Sequence, residues 1–170
     1  MQASLNEERS TSLADAASRV VQVVRQPATG QNALLTLRPF RSGEVISPFG
    51  AAATRSTPTY LTAQVGEDLH IELLPSILQY MNHSCEPNSF VDTERMEVIA
   101  LRDISLGEEL SFFYPSSEWH MAQPFECLCG TASCLRVISG ADSLPSADLD
   151  RYHLTRFIQS RLRQRSGNNV

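Results

Sequence analysis

Short runs of strand-forming residues recur through the middle of the chain, and they predict a mostly β domain. Residues 60–74 and 89–104 each contain two such runs around a short polar turn, which is typical of a β-hairpin. Residues 33–40, 43–49 and 108–114 are predicted to form further short strands. Many short strands joined by loops favour a mostly β fold over an alternating α/β one.

The segments on either side of these runs follow other patterns. Residues 1–10 are polar and are predicted to be disordered, whereas residues 11–25 fit either a helix with one apolar face or a strand. The small polar residues at 51–59 predict a loop. Apolar residues at helical spacing predict a helix over about 147–164, with Ser146 as its N-cap. The fold class is therefore mostly β with peripheral helices.

Composition narrows the possible functions. The chain has 170 residues, which is the length of one domain, and its apolar fraction of 42% is sufficient for a core. The net charge of −5 argues against direct binding of nucleic acid, since such proteins present a basic face. Four arginines lie in the last fifteen residues, where a solvated helix face is the simpler interpretation. All 14 basic residues are arginine, so the chain contains no lysine.

The sequence also predicts where the protein resides. Residues 1–19 are polar and lack the apolar stretch of a signal peptide. No apolar run approaches the roughly 18 residues that a membrane span requires. We therefore expect an intracellular protein, cytoplasmic or nuclear, without a membrane partner and with reduced cysteines.

Three of the four cysteines form a C-x-C-x4-C cluster at Cys127, Cys129 and Cys134. Thiols at this spacing in a reducing compartment indicate a zinc site, and a structural zinc ion takes four ligands. Cys85 is the remaining cysteine, so counting favours a site of four cysteines. In the alternative, Cys85 is a buried thiol and the fourth ligand is water or a histidine, His83 or His120.

Three segments in this order resemble the SET-domain lysine methyltransferases: "NHSCEPN" at 82–88, "GEELSFFY" at 107–114 and "CLCGTASC" at 127–134. Each of the three alone is moderately specific, whereas their combination at these distances is highly specific. Upstream, "LRPFRSGEVI" at 37–46 looks like the first strand pair of the family. The resemblance covers about residues 30–138.

The resemblance implies a fold and a division of the chain. The SET fold consists of several short β-sheets and a C-terminal pseudoknot, which brings residues 82–88 close to Tyr114. A post-SET segment binds zinc through Cys85 and the three later cysteines, and a helix follows. The expected divisions are an N-terminal segment (1–25), the SET domain (26–118), the post-SET zinc segment (119–140) and a C-terminal helix and tail (141–170).

The resemblance also implies S-adenosylmethionine as cofactor. Asn82 and His83 match the segment that contacts it, through the asparagine side chain and nearby backbone groups, and Asn88 matches a residue that organises the loop. The family usually carries G-x-G in the first turn near the cofactor, where this chain has Gly30 and Asn32. Asparagine tolerates a positive φ better than most residues, so we expect the turn to survive with an altered affinity for the cofactor.

Residues near the end of the motif region are assigned to catalysis and to the substrate channel. Tyr114 matches the catalytic tyrosine of the family, and Phe112 matches a position that tunes how many methyl groups are added. A phenylalanine there favours two or three. We expect Phe112 and Phe113 to form channel walls, and Trp119 either to line the pocket or to anchor the linker to the zinc site.

The function that follows from the resemblance is S-adenosylmethionine-dependent transfer of methyl to the ε-amine of lysine in a protein or peptide substrate. Two alternatives remain. One is methylation of a small amine or biosynthetic intermediate, because the insert at 51–79 is short. The other is a catalytically weak SET-like module that binds a partner, because the glycine turn is altered and Phe113 replaces a residue that is often polar.

Overall fold

The computed structural model describes residues 2–27 and 29–167, with side chains described from Glu7 onward. Twelve strands are described. In chain order they are β1 (Val21–Arg25), β2 (Asn32–Thr36), β3 (Val45–Pro48), β4 (Gly50–Arg55), β5 (Thr62–Gly66), β6 (Leu69–Leu74), β7 (Asn82–His83), β8 (Ser89–Asp92), β9 (Glu97–Ala100), β10 (Ser111–Phe112), β11 (Phe125–Glu126) and β12 (Val137–Ile138). The mostly β fold that the sequence predicts is confirmed.

The strands form five small sheets. Four of these sheets are antiparallel, and three of the four join β1 with β2, β4 with β6 and β5, and β3 with β9 and β8. β11 pairs with β12 antiparallel, whereas β7 and β10 pair in parallel. The two predicted hairpins are present, as β5–β6 and β8–β9. The region at 51–59, predicted to be a loop, instead contributes β4, because pairing with β6 outweighs the weak strand propensity of its alanines.

Three α-helices lie at the ends of the chain: α1 (Gln2–Ser18), α2 (Ser146–Leu149) and α3 (Arg156–Gly167). The prediction of disorder over residues 1–10 is wrong from Gln2 onward, whereas Met1 lies outside the described residues. α1 is followed by β1, so residues 11–25 contain both of the elements that their pattern allowed. Ala17 at the end of α1 is fully buried in the main core.

The single helix predicted over 147–164 is wrong, because the chain breaks between α2 and α3. Pro145, rather than Ser146, precedes α2. At the break, the backbone N–H of Thr155 donates to the carbonyl of Ser116 at 2.9 Å. The Thr155 hydroxyl then accepts from the N–H of Ile158 at 3.5 Å, which is the position of an N-cap bond at the start of α3.

Buried apolar side chains form a main core and two smaller clusters. The main core lies among β1–β9 and contains Phe40, Phe49 and Leu34. The second cluster joins Phe113 and Trp119 to the α2–α3 region, and the third surrounds the cysteines. The candidate site lies where these three clusters meet, since Phe112 packs on the first, Phe113 on the second and Tyr114 on the third.

Candidate active site and metal centre

Two short parallel strands place the first sequence motif beside the second. Asn82 pairs with Ser111 and His83 pairs with Phe112. The N–H of Ser84 then donates to the carbonyl of Phe112 at 3.1 Å. Residues 82–88 therefore lie next to Tyr114, as the resemblance implied.

Asn88 holds these segments in place from a buried position. Its amide nitrogen donates to the carbonyl of Glu109 at 2.8 Å, and its amide oxygen accepts from the N–H of Ser111 at 2.9 Å. Asn88 is 2% exposed, so both bonds are sheltered from water. This geometry agrees with the prediction that Asn88 organises the loop.

The four thiols converge on one point. The sulfur atoms of Cys85, Cys127, Cys129 and Cys134 all lie within 4.8 Å of one another. A tetrahedral zinc ion with zinc–sulfur bonds of about 2.3 Å requires sulfur–sulfur distances of about 3.8 Å. The distance between the sulfur atoms of Cys85 and Cys127 is 3.9 Å. The residues present therefore fit a structural zinc ion, which Cys85 connects to the motif at 82–88.

The two histidines considered as alternative ligands have other contacts. His120 is largely exposed and lies 3.6 Å from Asp142. His83 is beside the cysteines, with Nε2 3.3 Å from the sulfur of Cys85, and its Nδ1 accepts from the N–H of Tyr114 at 3.3 Å.

His83 is a neutral link between the cysteine cluster and the segment that contains Tyr114. Burial lowers the pKa of His83 to about 4, and the ring packs against Phe113, Tyr114 and Phe125. Because Nδ1 accepts a hydrogen bond, the ring proton lies on Nε2, which faces the thiol of Cys85.

Tyr114 lies in a buried aromatic environment. Its hydroxyl donates to the carbonyl of Met81 at 3.1 Å, and its ring lies 4.7 Å from that of Phe112. Burial, together with the negative charge of Glu109, raises the pKa of Tyr114 to about 12. The hydroxyl is therefore protonated at neutral pH, and it can orient a bound group but is a poor proton acceptor.

A cavity of about 320 Å³ opens at this tyrosine. Phe112, Tyr114, Met121 and Phe125 form its aromatic and apolar wall, and residues 59–63 form another side. This volume has room for an amino-acid side chain or a small organic molecule.

Two of the predicted channel residues lie elsewhere. Phe113 is 2% exposed and does not line this cavity, because neighbouring residues of an extended segment point to opposite sides. Its ring instead stacks on Tyr152, with centroids 3.6 Å apart. Trp119 is also outside the cavity and packs with the C-terminal region, where Arg161 lies over its ring at 5.0 Å. For Trp119, the structure therefore agrees with the alternative of a packing anchor.

The turn before β2 lies against Asn82. Gly30 has a φ of +70°, and Asn32 is the first residue of β2. The side chain of Asn82 donates to the carbonyl of Asn32 at 3.0 Å. Among the described residues other than glycine, positive φ occurs at Met96 and Arg136. The expectation that Asn32 needs such a conformation is therefore wrong, and the turn forms without it.

Sequence analysis missed Glu109 and Gln26, which complete this corner. Glu109 accepts from the amide of Asn82 at 2.7 Å and from the amide of Gln26 at 2.7 Å. Glu109 belongs to the "GEELSFFY" motif, so its place in the chain was visible, whereas Gln26 carries no sequence signal. Two neutral amides therefore donate to this carboxyl group, which lies beside the predicted cofactor residues.

Comparison with known proteins now adds to this geometry. The model of the SET domain matches residues 31–115, which is half of the chain. The chain belongs to the SET domain family. A methyltransferase of Aspergillus flavus, flvH, is 42% identical over 123 residues, which cover 71% of this chain and 68% of flvH.

Other relatives are much longer than this chain. A histone-lysine N-methyltransferase of Candida albicans, specific for H3 lysine 36, is 37% identical over 78 residues, which cover 42% of this chain and 9% of that protein. An H3 lysine-36 enzyme of Saccharomyces cerevisiae is 31% identical over 96 residues, which cover 13% of that protein. The match to these enzymes is therefore a match to one part of each.

Solved structures support the fold. KRYPTONITE, crystallised with DNA, an H3(1–15) peptide and SAH, has a TM-score of 0.52 at 21% identity over 69% of this chain and 29% of that chain. The methyltransferase domain of human SETMAR has a TM-score of 0.51 at 22% identity over 71% of this chain and 58% of that chain. Within the described part of the chain, no helix has the length and apolarity needed to cross a membrane.

Proposed function

We propose that this SET-domain protein is an S-adenosylmethionine-dependent methyltransferase that acts on the ε-amine of lysine in a protein or peptide. The observation that carries the proposal is Tyr114, whose partly buried hydroxyl lies at an aromatic cavity of about 320 Å³ beside residues 82–88. Relatives named histone-lysine N-methyltransferases support lysine as the acceptor. The domain bounds given above remain part of this proposal.

The cavity suits the chemistry of an amine. A free lysine amine has a pKa of about 10.4 and must lose a proton before it can attack a methyl group. An apolar cavity destabilises the ammonium form and lowers that pKa. Phe112 and Phe125 enclose the amine and exclude water, and the hydroxyl of Tyr114 orients its lone pair.

Asn82 and its neighbours are the residues that would hold the cofactor. When bound, S-adenosylmethionine supplies an electrophilic methyl group on a sulfonium ion. Asn82 uses its amide nitrogen on Asn32 and Glu109, whereas its amide oxygen has no hydrogen-bond partner among the described residues. An acceptor oxygen and a nearby carboxylate fit a cationic cofactor. A solved neighbour that contains SAH supports this choice of cofactor.

The zinc ion would have a structural role. It would hold the 127–134 segment against Cys85, three residues after Asn82. Leu135 N–H already donates to the sulfur of Cys85 at 3.4 Å, so the segment that follows the last cysteine is drawn to the same loop. Zinc removal is therefore expected to loosen the site as well as the fold.

Transfer of labelled methyl tests the proposal directly. The zinc-loaded chain is incubated with labelled S-adenosylmethionine and a cell lysate, and then with lysine-containing peptides. Since the chain contains no lysine, automethylation at lysine cannot contribute to the signal. Tyr114→Phe is the matched control and is expected to reduce transfer at least about a hundredfold while the fold is retained. Label that never reaches lysine would overturn the proposed acceptor.

A small-molecule amine is a second candidate acceptor. The match to flvH covers 68% of that relative, and its name, a methyltransferase, mentions no protein substrate. The cavity volume of about 320 Å³ also suits a free amine. Label that appears only in the small-molecule fraction of the lysate would favour this candidate. Calorimetry that shows no binding of S-adenosylmethionine would instead favour a SET-like binding module.

A further inference from the structure

A buried carboxyl group lines the same cavity as Tyr114. Glu118 follows Tyr114 by one turn, and its backbone N–H donates to the carbonyl of Tyr114 at 3.1 Å. Both side chains therefore reach the cavity from one segment. Glu118 is 8% exposed, and carboxylates are seldom buried to this extent without a charged partner.

Gln64 bonds to this carboxyl group and also to the backbone of the next residue, Trp119. The backbone N–H of Gln64 donates to Oε1 of Glu118 at 2.9 Å, and the side-chain oxygen of Gln64 accepts from the N–H of Trp119 at 3.0 Å. The amide nitrogen of Gln64 is held in turn by the carbonyls of Gly66 and Glu67. The carboxyl group is thus held in place by a backbone N–H of β5.

The second oxygen of Glu118 remains available. Within the described part of the chain, Oε2 has no hydrogen-bond partner. It is absent from the set of fully buried polar atoms without a partner, so it is not completely closed off from the cavity. Of the described residues that line the cavity, Glu118 carries the one carboxyl group, and the other titratable groups are Tyr60 and Tyr114. Arg161 and Arg165 lie over the ring of the neighbouring Trp119, and Arg161 pairs there with Glu67.

The proposed methyl transfer leaves one proton without a destination. The hydroxyl of Tyr114 is protonated at neutral pH and donates a hydrogen bond to the carbonyl of Met81. It therefore cannot take the proton of an ammonium ion. His83 faces the cysteines and the Tyr114 backbone, so its ring nitrogens are also engaged. Glu118 is the group on the cavity wall that offers a free basic oxygen once its carboxyl group is ionised.

Resting on the proposed function, we propose that Oε2 of Glu118 binds the ammonium group of the substrate and then accepts one of its protons. The N–H bond breaks, an O–H bond forms on Oε2, and the electron pair stays on nitrogen as the lone pair that attacks. The carboxyl group thereby selects a cationic amine over a neutral group of the same size. Glu118 lies outside the sequence motifs that predicted the site.

The acidity of Glu118 agrees with this role. Burial raises the pKa of Glu118 to about 8, although the hydrogen bond from the N–H of Gln64 lowers it in part. A proton acceptor with a pKa near the working pH is the most effective kind. An ammonium ion in the cavity would in turn stabilise the ionised carboxylate.

Binding of a simple probe tests the proposal without turnover. n-Butylammonium, which has the length of a lysine side chain, is titrated into the zinc-loaded full chain at pH 9 and followed by NMR shifts of cavity methyl groups. Neutral 1-butanol is the control ligand. We expect the wild type to bind n-butylammonium about tenfold or more tightly than 1-butanol, since a charged hydrogen bond is worth at least that factor.

Glu118→Gln is the matched variant, because its amide oxygen can still accept from Gln64. We expect the variant to lose the preference for n-butylammonium, and the wild type to lose it at pH 6, where Glu118 is protonated. A preference that survives in Glu118→Gln, or is absent from the wild type at pH 9, overturns the proposal. A chain that shows this preference yet methylates no lysine overturns the proposed function alone.

Discussion

The buried carboxyl group of Glu118 predicts an unusual dependence of stability on pH. Its pKa is about 8 in the folded protein and about 4.5 in the unfolded chain. Between these values the folded state holds one more proton than the unfolded state, so the free energy of unfolding falls as the pH rises. The contribution of Glu118 is lost progressively from about pH 4.5 and levels off above about pH 8.

The size of the effect follows from the same two values. Each pH unit between them costs about 1.4 kcal/mol, so the total is at most about 5 kcal/mol. Glutamine at this position keeps the acceptor for Gln64 but cannot ionise. We therefore expect Glu118→Gln to match the wild type near pH 4.5 and to exceed it by about 3 to 5 kcal/mol at pH 9.

Urea unfolding of both proteins, saturated with zinc, at pH values from 4.5 to 9 measures this difference. Groups common to both proteins, including the cysteines, cancel when the two curves are subtracted. A difference that grows with pH and levels off near pH 8 supports the reasoning. Parallel curves would show that Glu118 is already ionised in the folded protein, and the physical account of the buried carboxyl group would then be wrong.

Three further changes test other parts of the structure. Cys134→Ser should lower zinc content, measured by mass spectrometry of the native protein, and weaken S-adenosylmethionine binding in calorimetry; normal cofactor binding without zinc would separate the metal centre from the site. Gly140→Ala should cost at least about 3 kcal/mol in thermal unfolding, because a Cβ there would clash with the backbone carbonyl of Trp119, whereas Gly107→Ala, with nothing within 4 Å, should cost about 1 kcal/mol. Phe112→Tyr should shift the product toward fewer methyl groups, as seen by mass spectrometry, because the added hydroxyl narrows the cavity; an unchanged product would remove Phe112 from the control of methylation state.

The site was predictable where the chain carries dense chemical motifs. Counting four cysteines predicted their convergence, which the sulfur positions confirm. Residues 82–88 also lie next to Tyr114, as predicted, because β7 pairs in parallel with β10. The first prediction came from the number and spacing of the cysteines, whereas the second was implied by the resemblance to the family.

The errors arose where tertiary contacts override local pattern. Phe113 was assigned to the channel from its aromatic neighbours, although the two-residue period of extended chain turns it away from Phe112. The helix over 147–164 breaks because the backbone of Thr155 bonds to Ser116, which lies 39 positions earlier. No local signal announces such a partner, although threonine at the start of α3 is a recognisable cap.

Glu118 shows a different limit of sequence reading. A glutamate four residues after a tyrosine is ordinarily a solvated side chain. Its burial depends on Gln64, which lies 54 positions earlier and offers a backbone N–H at 2.9 Å. Only the folded chain reveals that this carboxyl group faces an aromatic cavity.

The stacking of Phe113 on Tyr152 connects the tyrosine segment to the C-terminal part of the chain. The hydroxyl of Tyr152 also donates to the carbonyl of Cys85 at 2.9 Å, so this one side chain contacts both the segment before Tyr114 and the loop that carries the first cysteine. A change in size at position 113 therefore requires a matching change at 152. We expect these two positions to covary among homologues. We also expect a chimaera that receives the C-terminal segment of a homologue to work only when position 113 is exchanged together with position 152.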